Sequence, residues 1–261
     1  MKYIRRTILS LLLVAIWFTM CSPGAGETYA RNVYPYVSAV LSRFSSIFFF
    51  SVGDCLIYGS IGSLLVYVVC AVAGRCSWKK LAERIVEYLL WVYVWFYMAW
   101  GLNYFRQDFF TRTQLSHVAY SAEAFRSFLS AYTDSLNVSF VPVEEIDKVV
   151  VAEESEKGYR KIVGRFGLVA PAGYLHPKPM LLPSLMSKVG VLGYMGPFFT
   201  EYNLNPELLP VRIRLLMRTK WRMCWGYPAR RKQICTVFWS APVRKWRKSV
   251  FRLTSPCYRM S

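Results

Sequence analysis

The sequence predicts a mainly α-helical integral membrane protein, with three transmembrane helices, a small extracytoplasmic α+β domain after them, and an irregular C-terminal tail. Three observations predict this class. Apolar residues make up 54% of the 261 residues, which is high for a soluble protein. Three long apolar runs fall within the first 104 residues. Basic residues cluster in the two segments that three crossings would place on one side of a bilayer.

The first run, residues 7–20, follows Lys2, Arg5 and Arg6. Its length suits the core of a signal peptide as well as a span, and Ala25-Gly26 offers small residues for cleavage. Trp17, Phe18 and Met20 keep the run bulky to its end, which favours an uncleaved first span. The second run, about 55–74, holds only apolar, Gly, Ser and Tyr residues and has the roughly 20 residues that a crossing needs. The third, about 85–104, carries Trp91, Tyr93, Trp95, Tyr97 and Trp100, side chains that favour the headgroup interface. For the second and third runs the competing assignment is a buried core helix. The basic start and Arg75, Lys79, Lys80 and Arg84 are then the cytoplasmic flanks. Residues 22–54 and everything after Tyr104 lie outside the cytoplasm.

Residues 1–104 thus form a membrane domain and 105–210 an extracytoplasmic α+β domain. Ser121 reads as the N-cap of a helix to about Leu136, with Phe125, Phe128, Leu129 and Tyr132 on one face. A second helix is expected over 143–158, where Glu144 and Glu145 suit the N-terminal end of the helix dipole. Residues 159–175 are interrupted by Gly, and 178–210 alternate short apolar runs with Pro and Gly, as strands and turns do.

No catalytic, cofactor-binding or metal-binding residue is assigned in this chain. His117 and His176 are far apart in sequence, without a supporting carboxylate spacing, and read as solvated loop histidines. Asp54, at the mouth of the second span, could be a functional intramembrane carboxylate, but a helix cap at the interface is the favoured role. The seven Cys form no close-set CxxC pair, so neither a zinc knuckle nor a disulfide framework is indicated; Cys55 and Cys70 act as small apolar residues. Asn137-Val138-Ser139 matches a glycosylation sequon by pattern only.

Residues 211–261 break with the rest. They hold 14 of the 33 Lys/Arg and none of the 15 Asp/Glu, so the tail carries +14 of the net +18. Four of the nine Trp lie there, and the apolar residues keep no sustained period, so the tail is expected to be irregular and poorly packed.

The stretch Trp100-Gly101-Leu102-Asn103-Tyr104-Phe105-Arg106, with Ser51-Val52-Gly53-Asp54 before it, resembles a family of uncharacterised bacterial inner-membrane proteins that carry a domain of unknown function. Further on, Lys178-Pro179, Ser184-Leu185-Met186-Ser187, the run Gly193 to Phe198, and Glu201, Asn203 and Asn205 resemble the same family, so the likeness covers about residues 45–210. The resemblance implies three N-terminal spans in the inner (cytoplasmic) membrane and a periplasmic domain. It also implies a helix bearing H-E-x-x-H soon after residue 210, then an E-x-E-A-N segment, as in zincin-like metallopeptidases. In that motif two His one turn apart hold Zn²⁺ and the Glu deprotonates its water. Zinc is thus implied for intact members. This chain has no His after His176 and lacks the motif.

A lost reading frame accounts for both the charge break and the missing motif. Each codon of the frame one nucleotide back takes the last base of one codon and the first two of the next. In that frame Met223/Cys224 must give Val, Cys224/Trp225 Leu and Trp225/Gly226 Gly. The Arg218/Thr219 junction permits His, Thr219/Lys220 permits Glu, and Arg222/Met223 permits His, so H-E-M-A-H-V-L-G is allowed; Arg231 to Cys235 permits E-A-N-L. The leading expectation is therefore a member of this family inactivated by loss of its metal-binding motif. The alternatives are a non-catalytic membrane protein whose basic, Trp-rich tail binds anionic lipid, and one whose extracytoplasmic domain only binds a partner. No nucleic-acid partner is expected, because the predicted topology turns the tail away from the cytoplasm.

Overall fold

A computed structural model describes residues 2–22, 24–114, 121–138, 147–163, 177–207 and 210–226. Helix α1 spans Lys2–Cys21. It starts five residues before the apolar run because nothing in Tyr3–Arg6 stops a helix. A short α2 (Ala25–Thr28), a π-helical turn (Tyr29–Val33) and α3 (Tyr34–Ser46) follow, in a stretch with no element assigned from sequence. Pro35 stands in the first turn of α3, where its fixed φ and missing N–H are tolerated. The buried face of α3 is Tyr34, Ser38, Leu41, Ser42 and Ser45. That spacing is helical, but three serines keep its hydropathy low, which hid it.

Helix α4 (Val52–Val72) is capped by Ser51, whose Oγ accepts from the Asp54 N–H at 3.1 Å. It ends at a turn in which Gly74 has a positive φ. Helix α5 spans Trp78–Ala99 and passes into a 3₁₀ turn over Gly101–Phe105. Among the described residues, α1 and α4 are the two helices long and apolar enough to cross a membrane. The third span expected over 85–104 is corrected: α5 begins at Trp78 and carries Lys79, Lys80, Glu83, Arg84 and Glu87 in its first half. Those residues are good helix formers, so the basic loop expected there is largely helix. The two glutamates among them are met by α1, through Arg5–Glu87 at 2.6 Å and Glu83 at 3.9 Å from both Lys2 and Arg6. Among the described residues little covers the apolar side chains of α4, Leu65 and Val69 being more than 60% exposed.

Short α6 covers Phe109–Thr113 and α7 Ala122–Val138. Ser121 caps α7 as expected, accepting from the Ala124 N–H at 3.3 Å. The apolar face of α7 holds Phe125, Phe128 and Leu129, each about half exposed. Helix α8 spans Lys148–Ile162 and is capped by Asp147, which accepts from the Val149 and Val150 N–H groups at 2.8 and 3.4 Å. Residues 143–146, where this helix was expected to begin, lie outside the described residues.

Strands β1 (Pro177–Pro179), β2 (Gly193–Gly196) and β3 (Glu201–Leu204) form a sheet in the order β1-β3-β2, with α9 (Pro183–Lys188) between β1 and β2. β1 runs parallel to β3 with Lys178 beside Asn203, and β2 antiparallel with Tyr194 beside Asn203. The expectation of an irregular tail is corrected over its first residues: α10 spans Pro210–Cys224 and packs on β2 and β3. Ile213, Met217, Cys224 and Trp225 are buried there. Ile213, Leu216, Met217, Lys220 and Cys224 follow a helical period, too short to register beside the charge of the tail. Ile213, Leu216, Met217 and Cys224 join Tyr159, Met195, Tyr202, Leu204, Tyr34 and Trp100 in one core. Residues 227–261 lie outside the described set.

Candidate functional site

Two buried polar joints organise the molecule around β3 and α10. The first begins with strand alternation. Glu201, Asn203 and Asn205 occur at every second position, and the intervening Tyr202 and Leu204 enter the apolar core. Both Glu201 and Asn203 reach the N-terminus of α4. Glu201 accepts from the Gly53 N–H at 2.6 Å, the Val52 N–H at 3.3 Å and the Ser51 hydroxyl at 2.9 Å. The first turn of a helix leaves N–H groups without intrahelical partners and carries partial positive charge, so a carboxylate is well placed there. The Lys178 Nζ completes the shell, 2.9 Å from the Glu201 Oε2 and 2.6 Å from the Ser45 carbonyl of α3. Gly53 is required by this approach: a Cβ there would lie 2.9 Å from the Glu201 Oε1.

Asp54 belongs to the same joint. The helix cap is Ser51, not Asp54 as expected from sequence. The Asp54 carboxylate instead crosses to the sheet side, accepting from the Leu181 N–H at 3.2 Å and from the Tyr194 hydroxyl. Burial, followed by this hydrogen bond to Asp54, pushes the Tyr194 phenol up, so it remains a donor. The Asn203 Nδ2 donates to the Ser51 Oγ at 2.9 Å, and Asn205 ties α9 through the Ser187 Oγ at 2.7 Å. Ser51, Asp54, Lys178, Glu201 and Asn203 are all buried. A carboxylate that accepts from four donors inside the protein is poorly placed to serve as a base or metal ligand. The arrangement is a joint that fixes α3 and α4 to the sheet.

The second joint receives the C-terminal end of α10. Helix ends leave carbonyls unpaired, and here side chains from distant segments take them. The Trp100 Nε1 donates to the Met223 carbonyl at 2.8 Å, the Tyr34 hydroxyl to the Cys224 carbonyl at 2.5 Å, and the Arg106 Nη1 to the Gly226 carbonyl at 3.2 Å. Arg106 also grips Glu27 with Nε and Nη2, both at 3.1 Å, and Arg31 adds a contact to Glu27 at 2.7 Å. Burial pushes the Glu27 carboxyl up, but Arg106 and Arg31 outweigh it and hold the group below its usual range. Gly226 closes the helix at φ 72°, and a Cβ there would lie 2.4 Å from the Asn103 Oδ1. This socket recognises main-chain carbonyls, so it holds α10 by its backbone.

The side chains α10 turns inward are unusual for a core. Arg222 is buried at 3% exposure and Lys220 is half-buried, its Cε 3.8 Å from the position of a Gly193 Cβ. Burial lowers the pKa of both. Burial pushes the Cys224 thiol up, and the Glu201 charge adds to this.

Every segment singled out by its family resemblance enters one of these joints or packs beside it: residues 51–54, 178–179, 184–187, 193–198 and 201–205 at the first, residues 100–106 at the second. Sequence reading missed Glu27, Tyr34 and the Lys178–Glu201 pairing. The alternation of Glu201, Asn203 and Asn205 was the available signal for the last. His117 and His176 lie outside the described residues, as does Ser139 of the sequon; Asn137 is exposed near the end of α7.

A protein-family model described as "Protein of unknown function (DUF3810)" matches residues 29–217. No curated protein and no solved structure matches the chain.

Proposed function

The chain belongs to the DUF3810 family, and from that premise we propose a membrane-anchored protein whose intact relatives are zinc-dependent metallopeptidases and which has itself lost the zinc-binding motif to a shift of reading frame. The apolar α1 and α4, with α5 packed against both as a third and partly charged crossing, anchor it in a bacterial inner membrane, with the sheet and α10 on the extracytoplasmic side. Two apolar helices and the basic flanks at 2–6 and 75–84 support the anchor and its orientation.

The observation that carries the reading is where the family match stops. It ends at residue 217, immediately before the Arg218/Thr219 junction at which the shifted frame begins to permit H-E-x-x-H. The match also extends seven residues past the boundary drawn from charge alone. The permitted motif falls on α10, a helix of the kind it needs. The shifted frame keeps Gly at the Trp225/Gly226 junction, where the helix end has its positive φ. Inward-facing Lys220 and Arg222 are the mismatch expected when a helix keeps its place and loses its own side chains.

The residues present do not fit a zinc ion. α10 offers Lys220, Arg222 and Cys224, and the Cys224 thiol is held in its protonated form. Among the described residues no three His, Cys, Asp or Glu converge. No hydrolytic step is therefore assigned to this chain.

Resequencing the gene across the codons for residues 209–227 tests the frame. Restoring the frame and measuring bound metal tests the chemistry, with about one zinc per restored chain and none in the present one as the expected result. Codons that cannot yield His and Glu, or a restored and folded chain without zinc, would sink the proposal. Salt-sensitive vesicle binding through the basic C-terminal segment would then become the leading test.

A further inference from the structure

The structure holds a second feature in the groove between α4 and α5, which begins one residue beyond Asp54 of the first joint. The groove has a volume of about 660 Å³ and is lined by Leu56, Ile61, Leu64, Ile85 and Leu89, with Gly59 on its floor. It extends along α4 from Cys55 to Tyr67, a length of about 18 Å at the helical rise. That is close to the depth of one leaflet, about 15 Å of hydrocarbon. Its serine hydroxyls are occupied within the chain: Ser60 donates to the Leu56 carbonyl and meets the Tyr88 hydroxyl, and Ser63 donates to the Gly59 carbonyl at 2.8 Å. The wall therefore presents an apolar surface.

One end of the groove is charged, and with one sign only. Arg84 lines it, with its guanidinium 5.6 Å from the centre of the Tyr67 ring. Lys80 stands one turn earlier on α5, and Arg75 lies close by in sequence. Among the described residues no Asp or Glu lines the groove. The nearest acidic residues of α5, Glu83 and Glu87, are engaged by Lys2, Arg5 and Arg6 on the α1 side. An apolar channel one leaflet deep, with a basic mouth and no acidic wall, fits an acyl chain carrying an anionic head.

We propose that the α4–α5 groove binds an anionic phospholipid, with one acyl chain between the helices and the phosphate at Arg84. The proposal rests on the reading of α4 and α5 as membrane-embedded. The site would hold a specific lipid against the membrane part and is independent of the metal question.

The test uses the full chain purified in neutral detergent and titrated with phosphatidylglycerol or phosphatidylcholine, with bound lipid read by native mass spectrometry. Phosphatidylglycerol should be retained at least fivefold more than phosphatidylcholine. Arg84→Gln should remove that preference. Gly59→Phe should fill the groove and abolish binding of both lipids, since nothing lies within 4 Å of a Cβ at Gly59. Lys79→Gln, which lies on the α1–α5 side, should leave binding unchanged. Helix content by circular dichroism checks that each variant folds. Equal retention of the two lipids, an undiminished preference in Arg84→Gln, or a lipid-free dimer that covers α4 would overturn the proposal. Release of the chain from membranes by alkaline carbonate would defeat the membrane reading itself, a result distinct from loss of lipid selectivity.

Discussion

The Glu201 carboxylate takes the N–H of Gly53 at 2.6 Å, although 148 residues separate them in the chain. It binds the open first turn of α4, the most apolar helix described, to the middle strand of a three-stranded sheet. Lys178 neutralises the carboxylate and passes the connection to the end of α3. The helix and the sheet are thus one mechanical unit.

Glu201→Gln should therefore be strongly destabilising. It leaves Lys178 buried beside a neutral amide, and removing one partner of a buried pair costs roughly 3–5 kcal/mol. Thermal unfolding in detergent would read this as a large drop in Tm. Adding Lys178→Met to the variant should recover part of the loss, because the stranded charge is then gone. A Tm within a degree of the parent for Glu201→Gln would show that the joint contributes little.

The Glu27–Arg106 pair should make stability depend on acid. The folded Glu27 carboxyl lies below its ordinary value of 4.5. Its stabilisation is full above that value and is lost as pH falls through the lower folded value. At neutral pH Glu27→Gln should lose roughly 3 kcal/mol, since Arg106 keeps its charge and loses its partner. The gap between parent and variant should close as pH falls below about 4. A gap that stays constant down to pH 3 would contradict the pairing.

Hydropathy made α1 and α4 legible, because an apolar run of bilayer length leaves few other structures. Capping chemistry did the same for α7 through Ser121. Hydropathy did not reveal α3, whose buried face sets Ser38, Ser42 and Ser45 beside Tyr34 and Leu41, the serines being satisfied by their own helix carbonyls. It overextended the third apolar run, because the aromatic residues up to Tyr104 continue through a 3₁₀ turn that an apolar count cannot separate from helix. The motifs at 51–54, 100–106 and 201–205 were visible as strings. Their meaning was not, since each becomes a joint only when segments up to 190 residues apart meet, as Tyr34 meets Cys224.

Cys224 should resist thiol reagents in the folded chain. Its thiol is fully buried and burial pushes its pKa up, so little thiolate exists at pH 7. Exposed Cys21 should react with a maleimide within minutes and Cys224 only after denaturation, as peptide mapping by mass spectrometry would show. Equal labelling of the two before denaturation would mean that α10 is not seated in its socket.

Lys220 offers the sharpest test of whether α10 carries the side chains its place demands. Burial depresses its pKa below the ordinary 10.5. A lysine with a depressed folded pKa penalises the folded state at all pH values below that pKa, and the penalty is relieved as pH rises toward 10.5. Lys220→Met keeps a similar volume without the charge. It should raise stability by about 1 kcal/mol at pH 7, the scale of an ordinary single-site change, and the gain should shrink as pH approaches 10. Tm measured across that range checks both parts. A loss of stability at pH 7 would mean that the fold uses the Lys220 charge, and would count against the proposed shift of frame.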